Sequence, residues 1–260
     1  MKKYWQIFGK DHMNIPIDFC RNILIQKKVN QAALYLYLHR NTSGNFRKDT
    51  LDKDKVLTAL GLRKWETIRR QLKWLIENSW VISSGDGYYL KSIARVTFQM
   101  GVTTYKSAMF YFPDFTKLKA FAVAAWTSHQ VAINKRVGKS KGPIKRGSID
   151  DLFHPSFYSG EYNDLGNQYL ANHFGLSKTT GHNYKQLAKS AGFLKLKPRR
   201  IFSGYRVRDL KSLKKFEPEF AKKLVKYKGL LFIQCPDQAI PLIRIKRHRG
   251  LYRLLKSQNL

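Results

Sequence analysis

The stretch Leu57-Thr58-Ala59-Leu60-Gly61-Leu62-Arg63-Lys64-Trp65-Glu66-Thr67-Ile68-Arg69-Arg70-Gln71-Leu72 governs the reading of this 260-residue chain. Val56, Leu57 and Leu60 give a short helix one apolar edge, and Asp52 or Thr50 is placed to cap its start. Gly61 ends that helix, because glycine enters the left-handed geometry of a helix C-terminus without the steric penalty of a Cβ. A further helix then runs from Arg63 to Asn78. Along it Trp65, Ile68, Leu72, Leu75 and Ile76 recur on one stripe at the 3.6-residue period, leaving Arg63, Thr67, Arg70 and Trp74 opposite.

Upstream, residues 4–17 read as an extended arm, since Pro16 biases Ile15 away from helix. A helix follows from about Asp18 to Gln26. Asn30 is placed to cap the next one, where Ala32, Ala33, Leu34, Leu36 and Leu38 form an apolar, mostly buried helix that stops near Asn41-Thr42-Ser43-Gly44. Downstream, Trp80-Val81-Ile82, Gly85-Asp86-Gly87 and Tyr88-Tyr89-Leu90 read as strand, tight turn and strand. Three helices with a short turn before the last, followed by a hairpin, resemble a winged helix-turn-helix over Asn30 to Ile93. In that resemblance Leu57 to Leu62 is the helix-turn segment and Arg63 to Leu72 the start of the recognition helix.

The pattern recurs about 115 residues on. Phe115 to Lys135 forms a long apolar helix, and Tyr169-Leu170-Ala171-Asn172-His173-Phe174-Gly175-Leu176-Ser177 repeats the helix and glycine turn. Ser177 is placed to cap a helix from Lys178 to Ala191 with Tyr184, Leu187, Ala188 and Ala191 inward. Phe193 to Leu196 and Ile201 to Val207 are the candidate wing, with Pro198-Arg199-Arg200 at its tip. The expected fold is therefore α+β: two winged helix-turn-helix domains in tandem with a small basic C-terminal α/β extension. The expected organisation is an arm and helix over 1–29, a first domain over 30–100, a linker over 101–114 and a second domain over 115–209. That second domain holds a mobile basic insertion at 137–163. The extension over 210–260 reads as a helix around Pro218 to Tyr227 and strands around Leu230 to Ile233 and Ala239 to Ile245.

Lys and Arg number 49 against 17 Asp and Glu, a formal net charge of +32. Residues 1–112 hold 19 basic and 8 acidic side chains and residues 113–260 hold 30 and 9, so the C-terminal half is expected to dominate non-specific affinity for a polyanion. The basic clusters lie at 135–146, 195–208 and 244–256. Without offsetting acids they repel one another, which makes nucleic acid the expected partner. No apolar run reaches the ~18 residues of a membrane span and no secretory signal opens the chain, so a cytoplasmic protein without a membrane partner is expected. Cys20 and Cys235 are too few and too far apart for a disulfide framework or a metal pair and read as reduced, buried residues.

Catalytic motifs fall short. Gly138-Lys139-Ser140 ends like a phosphate-binding loop, but Ile133 occupies the position of the first glycine. The seven histidines form no close pair, and Asp150-Asp151 reads as a helix cap more readily than as a cation site. No enzyme, metal or cofactor is expected.

Binding chemistry remains. Arg63, Thr67 and Arg70 suit base edges in a major groove, with Lys64 and Lys73 placed for phosphates. In the second unit Lys178, Thr179, His182, Lys185, Gln186 and Lys189 are the corresponding set, with His182 equally readable as a solvated residue. Lys197, Arg199 and Arg200 belong to the wing, where the arginines suit either a narrow minor groove or phosphates. Trp74 is outward and open to the N-terminal arm or to a second copy of the chain. Over about residues 13–208 the motif order resembles the initiator proteins of plasmids and phages. That resemblance implies binding of origin double-stranded DNA, DNA opening, and host replication proteins as partners in a bacterial or phage-infected cell. A transcriptional regulator of the same architecture and a non-specific packaging protein are the alternatives.

Overall fold

A computed structural model describes residues 12–47, 49–111, 114–140, 163–197, 200–234 and 237–257. Mixed helix and sheet place the chain in the α+β class. In chain order the first elements are β1 (His12–Pro16), α1 (Ile17–Ile25), α2 (Val29–Asn41), β2 (Asn45–Arg47), α3 (Lys53–Leu60), α4 (Trp65–Glu77), β3 (Val81–Ser84), β4 (Gly87–Leu90) and α5 (Ile93–Gln99). Then come β5 (Lys106–Tyr111), α6 (Leu118–Ser140), β6 (Asn163–Leu165), α7 (Asn167–Phe174), α8 (Lys178–Ser190), β7 (Leu194–Lys197) and β8 (Arg200–Arg206). The last are α9 (Leu210–Phe216), α10 (Pro218–Lys222), β9 (Leu224–Tyr227), β10 (Leu230–Gln234), β11 (Asp237–Pro241), β12 (Ile245–Arg247) and α11 (Arg249–Lys256). Most of the insertion at 137–163 lies outside the described residues, as do Arg199, Cys235 and the arm before His12.

Two compact units divide the chain: residues 1–130, 182–194 and 241–260 form unit 1, and residues 131–181 and 195–240 form unit 2. In unit 1 the end of the N-terminal arm is not free. It is β1, paired antiparallel with β5 from His12 opposite Tyr111 to Pro16 opposite Ser107. β5 falls within the segment 101–114 read as a linker, yet it is the central strand of the sheet β1-β5-β12, with Ala108, Met109 and Phe110 buried. A strand buried on both faces lacks the alternation by which half-buried strands are recognised. β12 pairs with its other edge, Ile245 opposite Ala108.

Pro16 cannot donate to a helix and leads into α1 at its N-cap. Two residues later Asp18, 1% exposed, accepts hydrogen bonds from Thr103 N (2.7 Å), Thr103 Oγ1 (2.7 Å) and Thr104 N (2.8 Å). These bonds satisfy a buried carboxylate and fix the loop that feeds β5. Beside it the buried Cys20 thiol is pushed well above its ordinary range, chiefly by burial and next by Asp18. The core of unit 1 runs through Phe19, Tyr35 and Trp80, whose rings meet at 5.2–6.2 Å. β3 and β4 form the hairpin expected from Gly85-Asp86, and β2 adds to β4, so this sheet has the order β2-β4-β3.

Unit 2 holds two sheets, β6-β11-β7 and β8-β10-β9. Here the candidate wing is corrected. β7 and β8 do not pair with each other; β11, about 40 residues further on, completes the sheet of β7, while β8 joins β10. The helix expected over Pro218 to Tyr227 is also shorter, ending at Lys222. Leu224–Tyr227 is a strand because Lys228 (φ 47°) and Gly229 (φ 77°) make a tight two-residue turn that folds it onto β10. One face of β8-β10-β9 packs on α9 and α10 through Leu213, Ala221 and Leu231, with Val207, Leu210, Phe220 and Leu224 around them.

Candidate nucleic-acid interface

Two segments, each a helix, a glycine turn and a second helix, share one backbone design. At the end of α3, Gly61 takes φ 62°, ψ 32°; Leu62 N donates to Leu57 O (2.9 Å) and Gly61 N to Thr58 O (3.1 Å). At the end of α7, Gly175 takes φ 63°, ψ 41°; Leu176 N donates to Ala171 O (2.8 Å) and Gly175 N to Asn172 O (3.4 Å). Both turns are the glycine stop in which the two residues after the helix reach back to its last carbonyls. The following helices end alike: Trp80 N donates to Leu75 O (2.9 Å) and Phe193 N to Ala188 O (2.9 Å). In each case an aromatic ring is thereby turned inward. Trp80 packs against Tyr35, and Phe193 packs 5.7 Å from Phe121.

In the first segment Asp52 caps α3 by accepting from Lys55 N (3.1 Å), and its carboxyl is held below the usual range by hydrogen bonds to Lys55. Ile68, Gln71 and Leu75 are the buried residues of α4. Arg63, Lys64, Arg70 and Lys73 are exposed and Thr67 is half-buried. Lys73 lies 3.9 Å from Glu77, both well exposed, a contact of little energetic consequence. Trp74 is not outward: it is half-buried, edge-on to Trp80 at 5.4 Å, with Lys28 Nζ 5.0 Å above its ring.

In the second segment Ser177 Oγ accepts from Thr180 N (3.2 Å) to cap α8. The boundary between the units falls within this helix, after Gly181. Lys178, Thr179, His182, Gln186 and Lys189 are exposed, as expected. Lys185 is not. It is 1% exposed and engaged within the fold, so it is withdrawn from a phosphate-contacting role. The inward stripe is Gly181, Tyr184, Lys185 and Ala188, whereas Leu187, read as inward, is 39% exposed. Gly181 sets this rotation, since a Cβ there would lie 2.6 Å from Asn167 O and 3.2 Å from Ala171 N, so only glycine lets α8 approach α7. Leu187 instead lines an open depression of about 530 Å³ with Asn183, Gln186, Lys189 and Ser190. No acidic residue occurs in α8, whereas α4 carries Glu66 and Glu77.

Lys197 is exposed on β7. Arg200 opens β8 rather than a hairpin tip, its guanidinium 4.5 Å above the Tyr227 ring. The fold also redistributes the charge. Residues 241–260 join unit 1, which holds 29 basic and 9 acidic side chains against 20 and 8 in unit 2. There Arg247 stacks 3.5 Å over Tyr252 and 5.2 Å from Tyr105. Burial, then Arg244 and Arg249, push the Lys246 ammonium below its ordinary value. The sequence shows that cluster as a charge run, but its docking on β5 is a tertiary fact.

No helix among the described residues is long and apolar enough to cross a membrane, and no group of three His, Cys, Asp or Glu among them is placed to hold a metal. No family model, curated protein or solved structure matches the chain.

Proposed function

We propose that the protein binds double-stranded DNA through two winged-helix modules, with α4 and α8 as major-groove helices, and that it serves as a plasmid or phage replication initiator. The observation that carries the reading is the doubling. α3-turn-α4 is accompanied by a sheet of order β2-β4-β3, and α7-turn-α8 by one of order β6-β11-β7. In both, the strand before the first helix and the strand after the second flank the strand that comes last. An exposed helix face with arginine or lysine donors after a tight turn is the arrangement that reads base edges, and a net charge of +32 supplies attraction to phosphates.

The test is selection of bound duplexes from a random pool with the full chain. Footprinting of the selected sequence on supercoiled DNA follows, with permanganate to detect unpaired thymines. A discrete protected site with adjacent permanganate-reactive thymines is expected. A protected site without opening supports a regulator instead, and binding without any preferred sequence overturns both in favour of packaging.

A further inference from the structure

We propose that the outer face of the β8-β10-β9 sheet in unit 2 binds single-stranded DNA, with bases stacking on Phe202, Phe232 and Tyr227. Leu231 of the central strand points into the core formed with α9 and α10, so its neighbour Phe232 points the opposite way. The register sets Phe202 of β8 directly opposite Phe232, and Tyr227 lies on the other flanking strand. Ring centroids are 5.7 Å apart for Phe202 and Phe232 and 5.9 Å apart for Tyr227 and Phe232, so the three make one aromatic surface across three strands.

That surface is open to solvent: Phe202 is 52% exposed and Tyr227 43%. Its frame is cationic. Arg200 stacks 4.5 Å over Tyr227, Lys228 Nζ lies 5.6 Å from the same ring, and Arg206 stands opposite Leu230 at the far end. Residues 200–234 contain ten basic and three acidic side chains, and Glu219 among the acids is already paired with Lys222 at 2.5 Å.

Aromatic rings on a sheet, ringed by cations, complement a partner that offers flat π-faces and phosphates together. A duplex hides its base faces within the stack; a single strand exposes them. The choice of DNA over RNA rests on the duplex reading. The sheet is inserted between β7 and β11, strands of the proposed second wing, so the single strand it meets is one parted from that duplex.

Fluorescence anisotropy with the full chain decides this, using labelled oligo(dT), oligo(rU) of equal length and a random-sequence duplex. Phe202→Ala and Phe202→Leu are expected to weaken oligo(dT) binding about tenfold, Phe202→Trp to retain it, and duplex affinity to stay within twofold in all three. Thermal melts of each variant matching the parent exclude unfolding as the cause, because Phe202 is more than half exposed. Unchanged oligo(dT) affinity in Phe202→Ala, or equal losses on duplex and single strand, overturns the proposal. So does tenfold tighter binding of oligo(rU) than oligo(dT). Sedimentation in which Phe202→Ala dissociates a dimeric parent overturns it in favour of a second copy on this face. A parent that binds duplex but not oligo(dT) sinks this inference alone. A parent that binds oligo(dT) through Phe202 but no duplex supports the stacking face and sinks the winged-helix reading.

Discussion

Gly181→Ala tests the packing that positions α8. Alanine is the better helix former by about 0.8–1 kcal/mol, so an unobstructed position would gain stability from the change. Gly181 is obstructed. The added Cβ would sit 2.6 Å from Asn167 O, and about 0.8 Å of separation is needed to reach ordinary contact at 3.4 Å. Both obstructing atoms, Asn167 O and Ala171 N, are backbone, so no rotamer change relieves the clash and α8 must move away from α7. Overpacking of this kind costs about 1–3 kcal/mol. Set against the propensity gain, the net expectation is a loss of up to about 2 kcal/mol, or up to about 4 °C in Tm for a chain of this size. Thermal and urea unfolding followed by circular dichroism measure it, and duplex binding should weaken in parallel because the helix is displaced. The sign is the discriminating quantity: a variant more stable than the parent refutes the close approach of α7 and α8.

Arg63→Ala and Arg70→Ala should each weaken binding to a selected duplex by about 1–3 kcal/mol while sparing random duplex, as base-reading arginines do; equal losses in anisotropy titrations would make them phosphate contacts. Asp18→Ala removes three hydrogen bonds and leaves the Thr103 and Thr104 amides without their acceptor, so urea unfolding should show a loss of about 2–4 kcal/mol. A loss under about 1 kcal/mol would mean that the carboxylate does not hold the turn into β5. Burial lowers the His39 and His248 imidazoles below their ordinary value, and His248 Nδ1 must be unprotonated to accept from Leu251 N at 3.2 Å. Their stabilisation is therefore complete above the unfolded value of about 6.5 and is lost as pH falls below it, because the unfolded chain binds more protons. Tm should drop between pH 7.5 and 5.5, less steeply in His248→Asn, which keeps a helix-capping acceptor; an identical slope would assign the drop to other groups. Ser79 holds φ 57° at the stop of α4, so Ser79→Gly should gain roughly 0.5–1 kcal/mol in the same unfolding assay, and a loss would mean that the left-handed position carries no strain.

The two helix–glycine turn–helix segments are legible in sequence because their determinants are local. Gly61 and Gly175 each stand just past a short apolar helix, and a left-handed stop needs no distant partner. The rotation of α8 is not local. Leu187 looks inward by polarity, but the helix turns on the backbone contact of Gly181 with Asn167, which places Lys185 inside. The second sheet failed to read correctly for a related reason. β7 and β8 are consecutive strands with one proline and one arginine between them, which resembles a hairpin, while the true partner β11 follows a complete insertion. β5 escaped because Ala108, Met109 and Phe110 are consecutive buried residues with no period to detect.

The pairing of β12 with β5 has a consequence for how the molecule is made. Synthesis runs from the N-terminus, so β1 finds β5 early, whereas β12 begins 134 residues after Tyr111. At about 5–20 residues per second, one edge of β5 waits on the order of ten seconds on the ribosome. All of unit 2 falls between β5 and β12 in the sequence and emerges in that interval. Completion of this sheet thus waits on β12, and a premature stop before Ile245 would release a protein in which both helix–glycine turn–helix segments are present but β5 offers a bare edge for pairing with other chains.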